Sequence, residues 1–203
     1  AMTYLKMCSS GDTDAILAKS KFYLMFGGQH GTDRALDHLN DAIAKYTNAS
    51  FFPALLEKAK IMISVGEWSQ ALDAAHRVLE LDNENMGALK ILCLEMATHE
   101  ADPRRLADKL QQLFHSMRKN EPINVELYYR TAQLFSRFSG RNTGVLLVTQ
   151  QMTKKALEVD PDNGLAVTEL AHQNLMLGKT KEASELYGRA CKLDPENMDA
   201  LHG

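Results

Sequence analysis

The chain has few of the features that would indicate a membrane protein, a disulfide framework or a nucleic-acid-binding protein. No apolar run approaches the roughly 20 residues of a transmembrane helix, and the first residues lack the pattern of a signal peptide. The three cysteines, Cys8, Cys93 and Cys191, are odd in number and far apart, which favours a reducing compartment. A formal net charge of -3 offers no basic domain for nucleic acid. We therefore expect a cytoplasmic protein that inserts into no membrane and binds no nucleic acid.

Groupings of side chains that would indicate catalysis or metal binding are also missing from the sequence. The seven histidines are scattered, and neither a His-Glu-x-x-His nor a Cys-x-x-Cys motif occurs. The glycine-rich stretch at residues 27–31 lacks the lysine and the spacing of a phosphate-binding loop, and it is typical of a turn between two helices. We expect no catalytic residue, no metal and no cofactor, and therefore a protein that is not an enzyme.

The sequence does contain an internal repeat. Hydrophobic residues make up 45% of the chain, which is enough to form a sizeable core. Residues 65–72 and 177–184 each contain a glycine, then a short polar turn, then an alanine five residues after the glycine. Pro161 and Pro195 follow equivalent segments and are 34 residues apart, which is the length of one tetratricopeptide unit.

Small residues recur where the two helices of such a unit would cross. They let the helix backbones approach closely, and units stack because no helix pair can bury its apolar face alone. The first crossing position holds Ala59, Cys93, Ala132 and Ala171, and the second holds Ala35, Ala71, Ala107 and Ala183.

This pattern predicts an all-α fold: an α-α superhelix, a tetratricopeptide repeat solenoid of about five antiparallel helix pairs. We expect one array over residues 1–203, a fragment of a longer solenoid, with repeats near 12–48, 52–85, 86–121, 123–162 and 164–197, and a further repeat beginning at 198–203. The predicted helices are 12–27, 32–46, 52–65, 68–81, 86–99, 103–118, 123–138, 144–159, 164–177 and 180–193. The sequence makes no structural prediction for residues 1–11.

Two of the repeats are longer than the others. Ala59 and Cys93 are 34 residues apart, whereas Cys93 to Ala132 and Ala132 to Ala171 each span 39 residues. Because turns tolerate insertions at little cost, we expect the extra residues in turns. These turns are residues 138–144 in the later repeat, and residues 99–103 and 119–122 in the earlier one.

Several stretches carry a more specific resemblance. They are residues 52–55, 66–68, 135–137, 140–141, 168–170, 177–179 and 181–183. Over roughly residues 52–203 the chain resembles the tetratricopeptide repeat protein 21 family, the large repeat subunit of the intraflagellar transport A complex of cilia. This resemblance implies a non-catalytic scaffold that binds other subunits of that complex. It also implies a role in retrograde ciliary transport and ciliary protein trafficking, in the cytoplasm and at the axoneme and base of the cilium or flagellum.

The first helix of each pair lines the concave groove of this fold, so its groove positions are the candidate protein-binding residues. They are Leu56, Lys60, Ile63, Lys90, Leu94, Glu126, Tyr129, Gln133, Arg137, Thr168, His172, Leu175 and Met176. An exposed groove with leucine, methionine and tyrosine suits a protein partner. The alternative is that adjoining repeats or packing between the helices covers these side chains.

Two further interpretations remain open at the sequence level. A cytosolic tetratricopeptide adaptor or co-chaperone that binds short peptide tails would suit Lys90, but Leu94 stands where such a clamp needs asparagine. The helix predicted at 103–118 is basic, with Arg104, Arg105, Lys109, Arg118 and Lys119 in or just after it. This surface is either a solvated outer face or a docking site for an acidic partner.

Overall fold

A computed structural model describes residues 13–45, 51–99 and 102–203, and within these ranges it contains helices and turns but no strand. The helices are α1 (Thr13–Phe26), α2 (Gly31–Lys45), α3 (Phe52–Ser64), α4 (Trp68–Leu81), α5 (Met86–His99), α6 (Pro103–Asn120), α7 (Val125–Ser139), α8 (Thr143–Val159), α9 (Gly164–Met176), α10 (Thr180–Leu193) and α11 (Met198–His202). The all-α prediction is confirmed.

The predicted helix boundaries lie within two residues of those in the structure wherever both can be compared. The predicted start at residue 12 and end at residue 46, the part of segment 99–103 at residues 100–101, and Cys8 lie outside the described residues. A 3-10 turn at Gly28–His30 connects α1 to α2, so the glycine-rich stretch is a turn between helices, as predicted.

Asparagine caps the helix that follows four of the turns between successive pairs, whereas Phe51 precedes α3 without a side-chain cap. These turns are residues 82–85, 121–124, 160–163 and 194–197, each ending in asparagine. The side-chain oxygen of Asn163 accepts a hydrogen bond from the Ala166 N–H at 3.0 Å, and Asn85, Asn124 and Asn197 accept equivalent bonds at 3.0–3.2 Å. Such a cap satisfies a backbone donor that the helix itself cannot pair.

Glycine shapes the turns between α3 and α4, between α7 and α8, and between α9 and α10. Gly66, Gly140 and Gly178 have φ values of 84°, 55° and 78°, in the left-handed region that side chains with a Cβ disfavour. The turns that contain them, residues 65–67, 140–142 and 177–179, all have three residues.

The expectation that the extra residues fall in turns is wrong for segments 138–144 and 119–122. The turns there have the same lengths as those of the regular repeats, and the helices are longer instead. Helices α7 and α8 have 15 and 17 residues, against 13 and 14 in α9 and α10. Helix α6 has 18 residues, against 14 in α4. Residues added to a helix keep their backbone hydrogen bonds and can bury more apolar surface, as Val145 and Leu146 of α8 do.

The described residues divide into two compact units, unit 1 up to residue 92 and unit 2 from residue 93 to residue 203, with the division inside α5. In unit 1, the helices α1 and α2 pair, as do α3 and α4, and α3 packs against α2. Unit 1 has two core clusters. Ala35 is fully buried in the first, and Ala59 and Ala71 are fully buried in the second. The alanines predicted at the crossings in this unit are therefore where close packing requires them.

In unit 2, the helices α7 and α8 pair, as do α9 and α10, while α9 also packs against α8 and α7. Ala132, Ala171 and Ala183 are buried, as predicted, whereas Ala107 is only half-buried. Cys93 is fully buried, and burial raises the pKa of its thiol to about 12. It is a small apolar core residue, as its position in the repeat predicts.

Candidate protein-binding groove

The predicted groove residues of unit 1 differ in how much surface they offer. Leu56 and Ile63 are half-buried and pack against the core cluster of α3, α4 and α5. Lys60 is exposed, and its Nζ lies 2.9 Å from Glu57 Oε2. The half-buried Lys90 has a lowered pKa because burial disfavours its charge and Lys60 repels it. In this unit the two lysines are thus the polar part of the predicted surface.

The predicted groove residues on α5, α7 and α9 in unit 2 fall into two groups. Tyr129 and Thr168 are only 7% and 5% exposed, so packing covers them. Glu126 and Arg137 are exposed, while Leu94, Gln133, His172, Leu175 and Met176 are half-buried. The surface available to a partner therefore comes from the second group. Whether these residues bind a partner remains a prediction.

Arg137 and His172 are brought together from adjacent first helices. The Arg137 Nη1 lies 3.4 Å from His172 Nδ1, and its Nη2 lies 3.8 Å from the Glu169 carboxylate. Glu169 is only 1% exposed, whereas the Arg137 side chain is 45% exposed. A half-exposed guanidinium therefore lies above a buried carboxylate on this face.

A buried polar network supports that carboxylate. Ser136 Oγ donates to Glu169 Oε1 at 2.5 Å, and Gln173 Nε2 donates to the same oxygen at 2.9 Å. Gln173 Nε2 also donates to Thr153 Oγ1 at 2.9 Å, so the network joins α7, α8 and α9. The Glu169 Oε2 and Gln173 Oε1 atoms are buried without a hydrogen-bond partner. Both Oε1 bonds stabilise a charged acceptor in a place where water cannot.

Sequence reasoning missed this network. Glu169 and Gln173 are four residues apart and so share one face of α9. This spacing in the sequence indicates that the two side chains are neighbours. Their partners Ser136 and Thr153 lie 33 and 20 residues away, and no periodicity in the sequence shows that contact.

Burial dominates the electrostatics of this cluster. It raises the pKa of Glu169, and the hydrogen bonds and Arg137 oppose that rise. The pKa of His172 is lowered, first by burial and then by Arg137, while Asp199 acts in the opposite direction. Burial also raises the pKa of Tyr187. These shifts favour a neutral imidazole at His172 and a phenol at Tyr187.

Helix α6 is basic on its outer side. Arg104, Arg105, Arg118 and Lys119 are exposed, and the half-buried Lys109 donates to Gln112 Oε1 at 2.8 Å. Arg118 also lies over the Phe114 ring, 5.8 Å from its centroid. Such a surface fits solvation and an acidic partner equally well.

Among the described residues, no group of three or more His, Cys, Asp or Glu side chains could hold a metal ion. No helix there is both long enough and apolar enough to cross a membrane.

Paired helices joined by glycine turns, with alanine buried where they cross, define a tetratricopeptide repeat protein. Solved structures of this class share the fold at low sequence identity. Yeast Tom70 matches with a TM-score of 0.69 and 14% identity, over 99% of this chain and 40% of that one. YrrB, described as a TPR protein with an unusual peptide-binding site, matches with a TM-score of 0.59 and 18% identity, over 100% and 96%.

The sequence comparisons identify the family. Residues 108–203 match the second ARM domain of tetratricopeptide repeat protein 21. The chain is 34% identical to mouse tetratricopeptide repeat protein 21B over 169 residues, which are 83% of this chain and 13% of that protein. It is 32% identical to the human protein over 192 residues, which are 95% of this chain and 14% of that protein. This chain belongs to the tetratricopeptide repeat protein 21 family, and its fold and family are those of a protein-interaction scaffold.

Proposed function

We propose that the chain is a non-catalytic scaffold segment of a subunit of the intraflagellar transport A complex, acting in retrograde ciliary transport and ciliary protein trafficking. The observation that carries this proposal is the similarity to tetratricopeptide repeat protein 21B. The alignment with the human protein covers 95% of this chain. The chain spans only 13–14% of the length of the mouse and human relatives, so the activity of the whole protein is part of the proposal. The expected locations are the cytoplasm and the axoneme and base of the cilium or flagellum.

A scaffold suits the chemistry of the described residues better than an enzyme does. A nucleophilic cysteine needs a depressed pKa and access to solvent. Cys93 has neither, because it is fully buried and its pKa is raised to about 12. Glu169, the most deeply buried carboxylate of the network, is held by Ser136 and Gln173 and offers almost no surface to a substrate.

The partner surface proposed here is the set of exposed and half-buried groove residues of α7 and α9. Leu165, which is 49% exposed and lies one helical turn before the predicted groove residue Thr168, supplies apolar area at the start of α9, and the half-buried Met176 does so at its end. Arg137 and His172 supply polar groups between the helices. Exposed apolar area with a few convergent polar groups is the usual composition of a protein-binding patch.

The rival proposal is a cytosolic adaptor or co-chaperone that binds short peptide tails. One observation favours it: Lys60 and Lys90 lie close enough for their charges to repel, which would suit an acidic tail. Leu94, in the following turn of α5, offers no hydrogen bond to such a tail.

A competition between the two kinds of partner tests the proposal. The immobilised 203-residue chain would be incubated with purified subunits of the transport complex and, separately, with peptides of chaperone C-termini. Retention of a subunit supports the scaffold role, whereas retention of only the peptides refutes it.

Two matched variants test the location of the binding surface. Leu165→Ala removes an exposed leucine from the groove side on α9, and Leu147→Ala removes a similarly exposed leucine from α8. Loss of subunit binding in the first variant alone supports the groove. Equal loss in both, or loss only in the second, contradicts this placement.

A further inference from the structure

We propose that Arg137 and His172 form a docking point for a carboxylate side chain of an acidic partner segment. This inference rests on the proposed role as a protein-binding scaffold, and it specifies the chemistry of the partner group. The site lies on the face shared by α7 and α9 in unit 2.

The Arg137 guanidinium has N–H donors that its contacts with Glu169 and His172 do not use. It carries five N–H donors in a planar fork. Its Nη2 is 3.8 Å from Glu169 Oε2, beyond hydrogen-bond distance, and its Nη1 makes a long 3.4 Å contact with His172 Nδ1. With 45% of the side chain exposed, the remaining donors can be reached from solvent. A carboxylate fits such a fork with two parallel bonds.

His172 supplies a second donor next to that fork. A neutral imidazole that accepts at Nδ1 from Arg137 carries its proton on Nε2. That N–H can donate to the same ligand, since His172 is only half-buried. The two donor groups come from successive first helices, so a ligand would also bridge α7 and α9.

Glu169 positions the guanidinium without consuming its donors. The carboxylate is held at Oε1 by Ser136 and Gln173, and its Oε2 faces Arg137 with no hydrogen bond of its own. At 3.8 Å the ionic attraction fixes where the Arg137 charge lies. Because Glu169 is almost fully buried, it touches no partner and is a positioning residue.

The charge balance favours a carboxylate over a phosphate. One guanidinium is present, and the nearby Glu169 offsets part of its charge. Phosphate carries about two negative charges at neutral pH and usually binds where several cations converge. Asp199, close enough to raise the pKa of His172, would repel an anion further. Because a carboxylate carries a single charge, these two acidic groups repel it less than they would repel a phosphate.

Acidification below the ordinary histidine pKa of 6.5 should strengthen binding. The charged groups that act on His172 are Arg137 on α7 and Asp199 on α11. Glu169 on its own helix and Tyr187 on α10 interact with the same two groups. Because burial and Arg137 hold the pKa of His172 below its usual value, its imidazole gains a proton, and a positive charge, only as the pH falls below 6.5.

The probe is a fluorescein-labelled peptide of alternating glutamate and glycine, with a glutamine–glycine peptide as its uncharged match, and binding is measured by fluorescence anisotropy at low salt. Arg137→Gln should weaken binding of the glutamate peptide about tenfold, the value of one charge-assisted contact. Arg189→Gln is the matched control, because Arg189 is also 45% exposed but lies on α10 and contacts Asp162. It should leave the affinity within about twofold.

Two further variants test the charge balance. Asp199→Asn should tighten binding because it removes a repelling carboxylate. His172→Gln keeps a donor and should flatten the pH dependence. Circular dichroism of each variant confirms that it is folded.

The proposal is overturned by any of four results: no binding of the glutamate peptide, equal binding of the glutamine peptide, equal weakening by Arg137→Gln and Arg189→Gln, or tighter binding of a phosphoserine peptide of the same length. The subunit pull-down separates this failure from failure of the proposed function. If Arg137→Gln still retains transport-complex subunits, the docking point is wrong and the scaffold role stands.

Discussion

Replacing Glu169 by glutamine should not destabilise the protein at pH 7.5 and should make it slightly more stable. The amide oxygen can accept the bonds from Ser136 and Gln173 that Glu169 Oε1 accepts. The lost ion pair with half-exposed Arg137, 3.8 Å long, is worth less than about 1 kcal/mol. Removing a buried charge offsets that loss, as the raised pKa of Glu169 indicates, so we expect a net gain of about 1 kcal/mol.

The effect should depend on pH in a defined direction. Because the folded-state pKa of Glu169 is raised, the folded protein binds more protons than the unfolded chain between the two pKa values. The contribution of Glu169 to stability is therefore fully present below its unfolded pKa and is lost as the pH rises through the folded one. The advantage of Glu169→Gln should be smallest near pH 4.5 and should grow toward pH 7.5.

Urea unfolding followed by far-UV circular dichroism at several pH values measures this difference. Glu169→Ala, which removes both accepted bonds, should cost about 3 kcal/mol. Glu126→Gln, on the exposed surface of α7, is the control and should change little at any pH. A Glu169→Gln variant destabilised by more than about 1 kcal/mol at pH 7.5, or an advantage that shrinks with rising pH, would refute the reasoning.

Three other predictions follow from local geometry. Gly178→Ala should cost about 1–2 kcal/mol in urea unfolding, because φ is 78° while no neighbouring atom lies within 4 Å of the added Cβ. Asn163→Ala should cost about 1 kcal/mol by losing its 3.0 Å cap, while Asn83→Ala, in a turn but not at its cap, should cost little. Cys93 should resist N-ethylmaleimide in the native protein and react only in denaturant, as mass spectrometry of its peptide would show; rapid native labelling would contradict its burial.

The sequence was sufficient to predict the helices because their positions follow from a repeated spacing of small residues. Ala71, Ala132 and Ala183 are buried at the crossings, as that spacing requires. The same spacing could not locate the extra residues. A longer helix and a longer turn give the same distance between Ala132 and Ala171 in the sequence. Only the packing of residues such as Val145 decides between them.

The groove was harder to predict than the fold. A repeat position sets the side of a helix from which a side chain starts, but neighbouring side chains decide how much of it stays exposed. Tyr129 and Thr168 are covered for this reason, while Arg137 remains exposed. The role of Glu169 depends on partners in two other helices, and its sequence neighbours gave no sign of them.

Because the turns that contain Gly66, Gly140 and Gly178 have the same length, these repeats differ in length through their helices. At 1.5 Å per residue, the 17 residues of α8 extend about 25 Å, and the 14 residues of α10 about 21 Å. Lengthening the helices of one repeat therefore needs no change in the turns on either side of it. Evolution can therefore lengthen one helix pair while the turns at its ends stay unchanged.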